Sequence, residues 1–183
     1  DYGNNKIRKI VISTGAVSTL AGSGTETFAD GTGTSASFKH PNGITTDGTN
    51  LYVADKDNYR IRKIVISTGE VTTLAGSGTR TFADGTGTAA SFNALSHITI
   101  DGTNLYVVDR DNHRIRKIVI STGEVTTLAG SGRGTFADGT GTSATFYDPK
   151  GITSDGTNLY VADSSNNKIR KIVISTGEVT TLA

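Results

Sequence analysis

The chain has 183 residues, 34% hydrophobic and 19% charged, with a net charge of +1. That is enough for one domain with a sizeable core, but it carries no field strong enough to hold nucleic acid or an anionic membrane. It contains no Cys, which excludes disulfides, thiolate metal sites and a Cys nucleophile, and no apolar run approaches membrane-spanning length.

Gly (23 residues) and Thr (30 residues), together with Val and Ile, favour strands and tight turns over helices. Residues 1–21 hold "KIRKIVISTG" from Lys6, a strand running into a turn, and then room for one more strand. A long Gly-rich connection leads to "FKHPNGI" (38–44). From there the pattern is regular: strand "GITTD" (43–47), turn "DGTN", strand "LYVAD" (51–55), loop "KDNY", strand "RIRKIVI" (60–66), turn "STGE", strand "VTTLA" (71–75). Gly69 supplies the left-handed conformation that the last hairpin needs. A second connection, "GSGTRTFADGTGTAASF" (76–92), then opens the next copy.

The copies are spaced by 54 residues, read from Lys6, Arg60, Arg114 and Lys168, and residues 55–108 match 109–162 at 41 of 54 positions. Each unit predicts one four-stranded antiparallel sheet, and tandem sheets that bury one another's faces predict an all-β propeller. A β-solenoid is the rival, but its coils are shorter and lack recurrent two-strand hairpins. Ile44, Val53, Ile61 and Leu74, with their equivalents, are the predicted core between blades.

The residues "FKHPNGITTDGTNLYVADKDNYRIRKIVI" resemble the NHL-repeat pattern, in which a Phe, a Pro-x-Gly-Ile, a "LYVAD" and an Asn-x-Arg-Ile recur. The chain is also similar to a longer variant carrying "TLAGSG…FADGTGT" between units. The resemblance implies a propeller, most often six-bladed and used mainly for binding. A minority of relatives are enzymes, including an amidating lyase and lactonase-like hydrolases.

Residue 1 aligns with Asp55 and Ala183 with Ala75, so the chain reads as a half-blade (1–21) followed by three blades with strands at about 43–75, 97–129 and 151–183. Four units of 54 residues exceed the chain by 33, and six would need 324. The expectation is therefore about three and a half blades of a longer protein. The strand edge at residues 6–12 would be covered by the rest of the polypeptide or by neighbouring subunits.

Few residues offer chemistry. Asp30, Asp84 and Asp138 sit in "ADGTGT", where a Gly-rich loop could hold Ca²⁺ or a phosphate, but no second acid lies nearby. The expected role is to fix a turn through backbone N–H groups. "DKDN" (55–58) and "DRDN" (109–112) become "DSSN" (163–166), so the second acid is lost, and Asp55 with Asn58 is expected to cap the turn. Twelve of the eighteen basic residues fall on the third strands, yet no exposed aromatic cluster accompanies them for base stacking. No "GxSxG" elbow occurs. His40 is expected to be solvated and His113 structural. The stretch "FNALSHI" (92–98) replaces the Pro and Gly of its siblings with Leu95 and His97, and drift in a duplicated blade competes there with a binding role. Loop order places His40, Asn93, His97, Tyr147 and Lys150 at the mouth of the central channel, as candidates for binding a protein or carbohydrate.

The sequence thus reads as a non-catalytic binding or scaffolding module, with no cofactor, no metal and no membrane insertion, in a secreted or surface protein of bacterial type. One alternative is an enzyme, lyase or lactonase-like, whose site lies in other blades. The other is a structural element assembling through open blade edges.

Overall fold

The computed structural model describes residues 1–183 and contains strands and 3-10 turns only. A two-stranded half-blade, β1 (Ile7–Ile10) and β2 (Val17–Ala21), comes first. After a two-residue strand β3 (Gly31–Thr32), the first full blade holds β4 (Pro41–Thr46), β5 (Asn50–Asp55), β6 (Arg60–Val65) and β7 (Glu70–Ala75). The second blade repeats this with β8 (Gly85–Thr86), β9 (Leu95–Ile100), β10 (Asn104–Asp109), β11 (Arg114–Val119) and β12 (Glu124–Ala129). The third has β13 (Gly139–Thr140), β14 (Pro149–Ser154), β15 (Asn158–Asp163), β16 (Lys168–Val173) and β17 (Glu178–Thr181).

The expected four-stranded sheets are five-stranded. The "GT" of each connection pairs with the outer strand of the following blade, Gly31 opposite Val71 and Thr32 opposite Glu70, giving the order β3-β7-β6-β5-β4. The added strand follows from backbone need, because a connection lying on the blade must satisfy its own amides. The inner strands begin at Pro41, Leu95 and Pro149, two residues ahead of the expected start. They converge, β9 lying against both β4 and β14.

Each hairpin has a local cause. Asp47 Oδ1 accepts the amides of Thr49 and Asn50 at 2.8 and 2.6 Å, while Gly48 takes φ 89° between them. The Tyr52 hydroxyl donates to the same carboxylate at 2.8 Å. Those bonds stabilise the ionised acid, and although burial works the other way, Asp47 lies well below the usual carboxylate range. Burial and the facing carboxylate push Tyr52 up to about 12.

The core lies between sheets. Tyr52, Ala54 and Ile61 of the first blade pack on Ile98, Val107 and Ile118 of the second, with Phe92 from the connection filling the gap. Tyr106, Val108 and Ile115 meet Ile152, Val161 and Ile172 in the same way around Phe146. Three expected core positions depart at the ends. Ile44 is 46% exposed, although its equivalents Ile98 and Ile152 are buried, because the half-blade lacks the two strands that would cover it. Ile169 (40%) and Leu182 (59%) are exposed on the last blade, whose outward face has no neighbour. On the half-blade, Ile10, Ile12 and Val17 are likewise exposed.

Candidate functional site

Strand alternation places Arg62 on the same side of β6 as Ile64, facing Phe38. Its guanidinium is fully buried between the rings of Phe28 and Phe38, 4.8 and 5.1 Å from their centroids. One amino group donates to Asp55 Oδ2 (2.8 Å) and the Ser37 carbonyl (3.0 Å), the other to Asp30 Oδ1 (2.6 Å) and the Ala29 carbonyl (2.8 Å). Arg116 joins Asp109 and Asp84 (both 2.7 Å) in the same way, and Arg170 joins Asp163 (2.8 Å) and Asp138 (2.7 Å).

The loop aspartates Asp30, Asp84 and Asp138 therefore serve as partners of a buried arginine, correcting the expectation that they fix a turn through backbone amides. Three of the twelve third-strand cations are likewise internal. Asp55 and Asn58 do meet, the Asn58 side-chain amide donating to Asp55 at 2.9 Å, but the Asp55 carboxylate makes no capping bond to the turn after it and accepts the Lys39 amide instead. Burial pushes the carboxyls of Asp55 and Asp109 upward, opposed by Asn58 and the Lys39 amide at the first and by Arg116 at the second. Asp138 sits at the open end of its node. There the Arg170 and Thr181 hydrogen bonds outweigh burial and hold it below the usual carboxylate range.

The connections and the second-to-third-strand loops meet on one face. Two sets of non-glycine residues are left-handed there: His40, Ala94 and Asp148 at φ 50–51°, and Asn5, Tyr59, His113 and Asn167 at φ 52–54°. Such conformations cost about 1–3 kcal/mol each where nothing compensates.

The expected candidates occupy this face but share no pocket. His40 is partnered rather than solvated: its Nδ1 lies 2.6 Å from Asp57, its Nε2 3.6 Å from Glu26, and its ring stacks on Tyr2 at 4.7 Å. Its amide also donates to Asn5 Oδ1, so the residue clamps the half-blade to the first blade. Asn93 accepts from Arg80 Nε (2.9 Å), Arg80 reaches Asp111 (3.2 Å), and Arg110 bridges Asp111 (2.9 Å) to Asp148 (3.3 Å), which Lys150 approaches at 3.5 Å. A strip of alternating charge thus joins Asn93 to Lys150 across two blades. Tyr147 stands beside it, half-exposed, with its ring edge-on to His113.

His97 stands apart at the inner edge. Its Nδ1 lies 3.1 Å from the Ile152 carbonyl, and Ser96 Oγ donates to the Lys150 carbonyl at 2.9 Å. The sibling Gly43 shows why the substitution matters. A Cβ there would stand 2.8 Å from His97 Cα and the Ser96 carbonyl, so the first and second blades close backbone to backbone. At the next interface a histidine occupies that slot and binds the facing carbonyl.

A cleft of about 430 Å³ lies between the half-blade and the first blade, lined by Ile7, Arg8, Ile10, Val17 and Ile44. Of the five candidates, only His97 lines any cleft, a shallow apolar one of about 350 Å³ on the outward face of the last blade. No group of three or more His, Cys, Asp or Glu side chains gathers at metal-ligand spacing. The sequence reading contains neither the arginine nodes nor the charge strip.

No family model matches the chain. It is 32% identical over 190 residues to Protein SUPPRESSOR OF QUENCHING 1, chloroplastic, of Arabidopsis thaliana, covering 96% of this chain and 18% of that protein. It is 33% identical over 164 residues to NHL repeat-containing protein 2 of Homo sapiens, covering 80% and 22% respectively. The chain thus spans about a fifth of the length of these relatives. Among solved structures, an auxiliary nutrient binding protein from Bacteroides thetaiotaomicron superposes with a TM-score of 0.74 at 21% identity, covering all of this chain and 44% of that one. That likeness is one of fold.

Proposed function

Because the chain belongs to the NHL-repeat family of β-propellers, we propose that it is a binding or scaffolding module, without catalysis of its own, in a larger secreted or cell-surface protein. The observation that carries this reading is how the blades use their polar groups. Near-identical units commit their aspartates to buried arginine nodes, and the loop-face candidates tie neighbouring blades together. What remains is a broad, polar, charged face of the kind that meets a protein or a carbohydrate, rather than an enclosed pocket for a small substrate.

A second reading has its own support. The exposed Ile10, Ile12, Val17 and Ile44 flank an open strand edge, which suits completion by the rest of the same polypeptide or by neighbouring subunits, and so a structural role in assembly.

The test is to present the full-length protein to glycan and peptide arrays and to follow each hit by mass spectrometry. Binding that is weakened by Tyr147→Ala or Lys150→Ala, with the bound molecule recovered intact, supports the module. Chemical turnover of a bound molecule refutes it.

A further inference from the structure

The connection from the second blade to the third departs from its siblings. It carries Arg133, Gly134 and Thr145 where the preceding connection has Thr79, Arg80 and Ser91, and the first has Thr25, Glu26 and Ser37. Arg133 and Thr145 line an open cleft of about 490 Å³ with Arg114, Ser131, Thr135 and Thr142, and no hydrophobic or acidic residue contributes to the lining.

Neither cation in this cleft makes an ion pair, the two carboxylates nearest Arg114, Asp109 and Asp84, both being bonded to Arg116. Arg114 is fixed by donating to the carbonyls of Asn112 (3.3 Å) and Ser131 (2.7 Å) and by stacking on Phe82, its guanidinium carbon 3.8 Å from the ring centroid. It makes no ion pair, and its Nε has no partner. The side chain of Arg133 is exposed and makes neither hydrogen bond nor ion pair, only its backbone amide donating to Ser131 Oγ (3.1 Å).

Thr145 is a separate anomaly. In the two sibling connections a serine stands in its place and pairs with another, Ser23 with Ser37 and Ser77 with Ser91, both at 2.9 Å. Thr145 is more than nine-tenths buried, and its Oγ1 has no partner at all. Buried hydroxyls are rarely left unmatched, and the stiff, β-branched rotamer of threonine accounts for the lost pairing.

We propose that this cleft binds a tetrahedral oxyanion, phosphate or sulfate, free or as an ester, between the guanidinium groups of Arg114 and Arg133 with the threonine and serine hydroxyls around them. Two cations of fork geometry, neither in an ion pair, call for an anion with several acceptor oxygens, and hydroxyl donors complete its shell. A tetrahedral anion offers more acceptor oxygens to two guanidiniums and the surrounding hydroxyls than the two of a carboxylate. The sibling connections have threonine at the Arg133 position, and the one cation beside it, Arg80, is already paired with Asp111.

The experiment is calorimetric titration of the full-length protein at constant ionic strength with inorganic phosphate, inorganic sulfate, glucose 6-phosphate and N-acetylglucosamine 6-sulfate. Three variants accompany it. Arg133→Thr and Arg114→Lys restore residue types that this chain uses at the same repeat positions, so the fold tolerates them, and Lys63→Thr removes an equal charge on another strand. A Kd of about 1 mM or tighter for phosphate or sulfate is expected, weakened about tenfold by Arg133→Thr through the loss of a charge-assisted contact and unchanged by Lys63→Thr. Tighter binding of an ester than of its free anion assigns the ester as the source, and the reverse assigns the free ion. No heat from any of the four at millimolar concentration, or equal weakening by Arg133→Thr and Lys63→Thr, overturns the proposal.

Discussion

Arg116, like Arg62 and Arg170, is a point where a single change reaches the fully buried polar interior of a blade. Arg116→Met keeps a long side chain between Phe82 and Phe92 but removes four donated hydrogen bonds. Asp84 is nearly half-exposed and turns to solvent at little cost. Asp109 is fully buried and keeps only the Asn93 amide and the Asn112 side chain. An uncompensated buried carboxylate of this kind costs about 3–5 kcal/mol. The severed Ser91 and Ala83 carbonyls add to it, while the two surviving donors hold the total inside that range. The assay is urea unfolding at pH 7 with amide exchange read in β10 and β11, since tandem repeats can open blade by blade. Asp109→Asn in the same background removes the stranded charge and should recover at least half of the loss. Arg80→Met, which breaks an exposed pair, should cost below about 0.5 kcal/mol. A cost under about 1 kcal/mol for Arg116→Met, well below what a broken buried pair incurs, or no recovery in the double variant, would refute the view that these nodes hold the blades together.

Gly43→Ala forces a Cβ within 3 Å of the backbone of Ser96, His97 and Ile98 and should cost about 1–3 kcal/mol by overpacking. Gly151→Ala, whose nearest neighbour is Ala162 Cβ at 3.6 Å, should be near neutral in residues 1–183, and thermal melts of the two compare them directly. Asp47, Asp101 and Asp155 all have carboxyls held below the ordinary value by hydrogen bonds within their turns. Their contribution is therefore complete above the unfolded value of about 3.9 and lost as the pH falls below it. Asp101→Asn should accordingly lose less stability than the parent between neutral pH and about pH 2, and equal slopes would count against the turn chemistry. Tyr52 should ionise near 12 by absorbance titration, and Asp47→Asn should bring it back toward the ordinary value of about 10.

The repeat, its hairpins and the propeller were legible because their causes are local. A fixed period, alternation along each strand and the Asp-Gly-Thr-Asn turns all lie within a few residues of one another. The arginine nodes were not, since arginine is by composition a surface residue. Arg62 is made internal by Asp30 and Phe28, more than thirty positions earlier in the chain. A register shift between Ile61 and Arg62 also buries two consecutive side chains, which simple alternation does not anticipate. His40 was misread for a similar reason: its partners Tyr2, Glu26 and Asp57 come from three separate segments. The core assignments at Ile44 and Ile169 failed at the ends because burial there belongs to the adjoining blade, not to the residue's own unit.

The differences between copies carry information of their own. Comparing residues 55–108 with 109–162, all but two of the differences fall in the second-to-third-strand loop, the connection, or the first residues of the inner strand. The exceptions are Ile100 against Ser154 and Val108 against Ala162. The arginine and both aspartates of the node are unchanged, as are the Phe pair that sandwiches it and the Asp-Tyr contact of the inner hairpin. Physical constraint explains the constancy, since each of those residues is buried, or is hydrogen-bonded to or stacked on one that is. It does not require the variation to gather on one face, because exposed strand positions such as Glu70 and Thr72 are just as free to change and have not. In this chain the blades are alike where they pack and unlike on the loop face. His97 at the inner edge, the Asn93–Lys150 strip and the Arg114–Arg133 cleft all mark the junction of the second and third blades, while His40 with Asn5 and Asp57 marks that of the half-blade and the first, so a ligand that reads the face meets a different surface at each of these junctions.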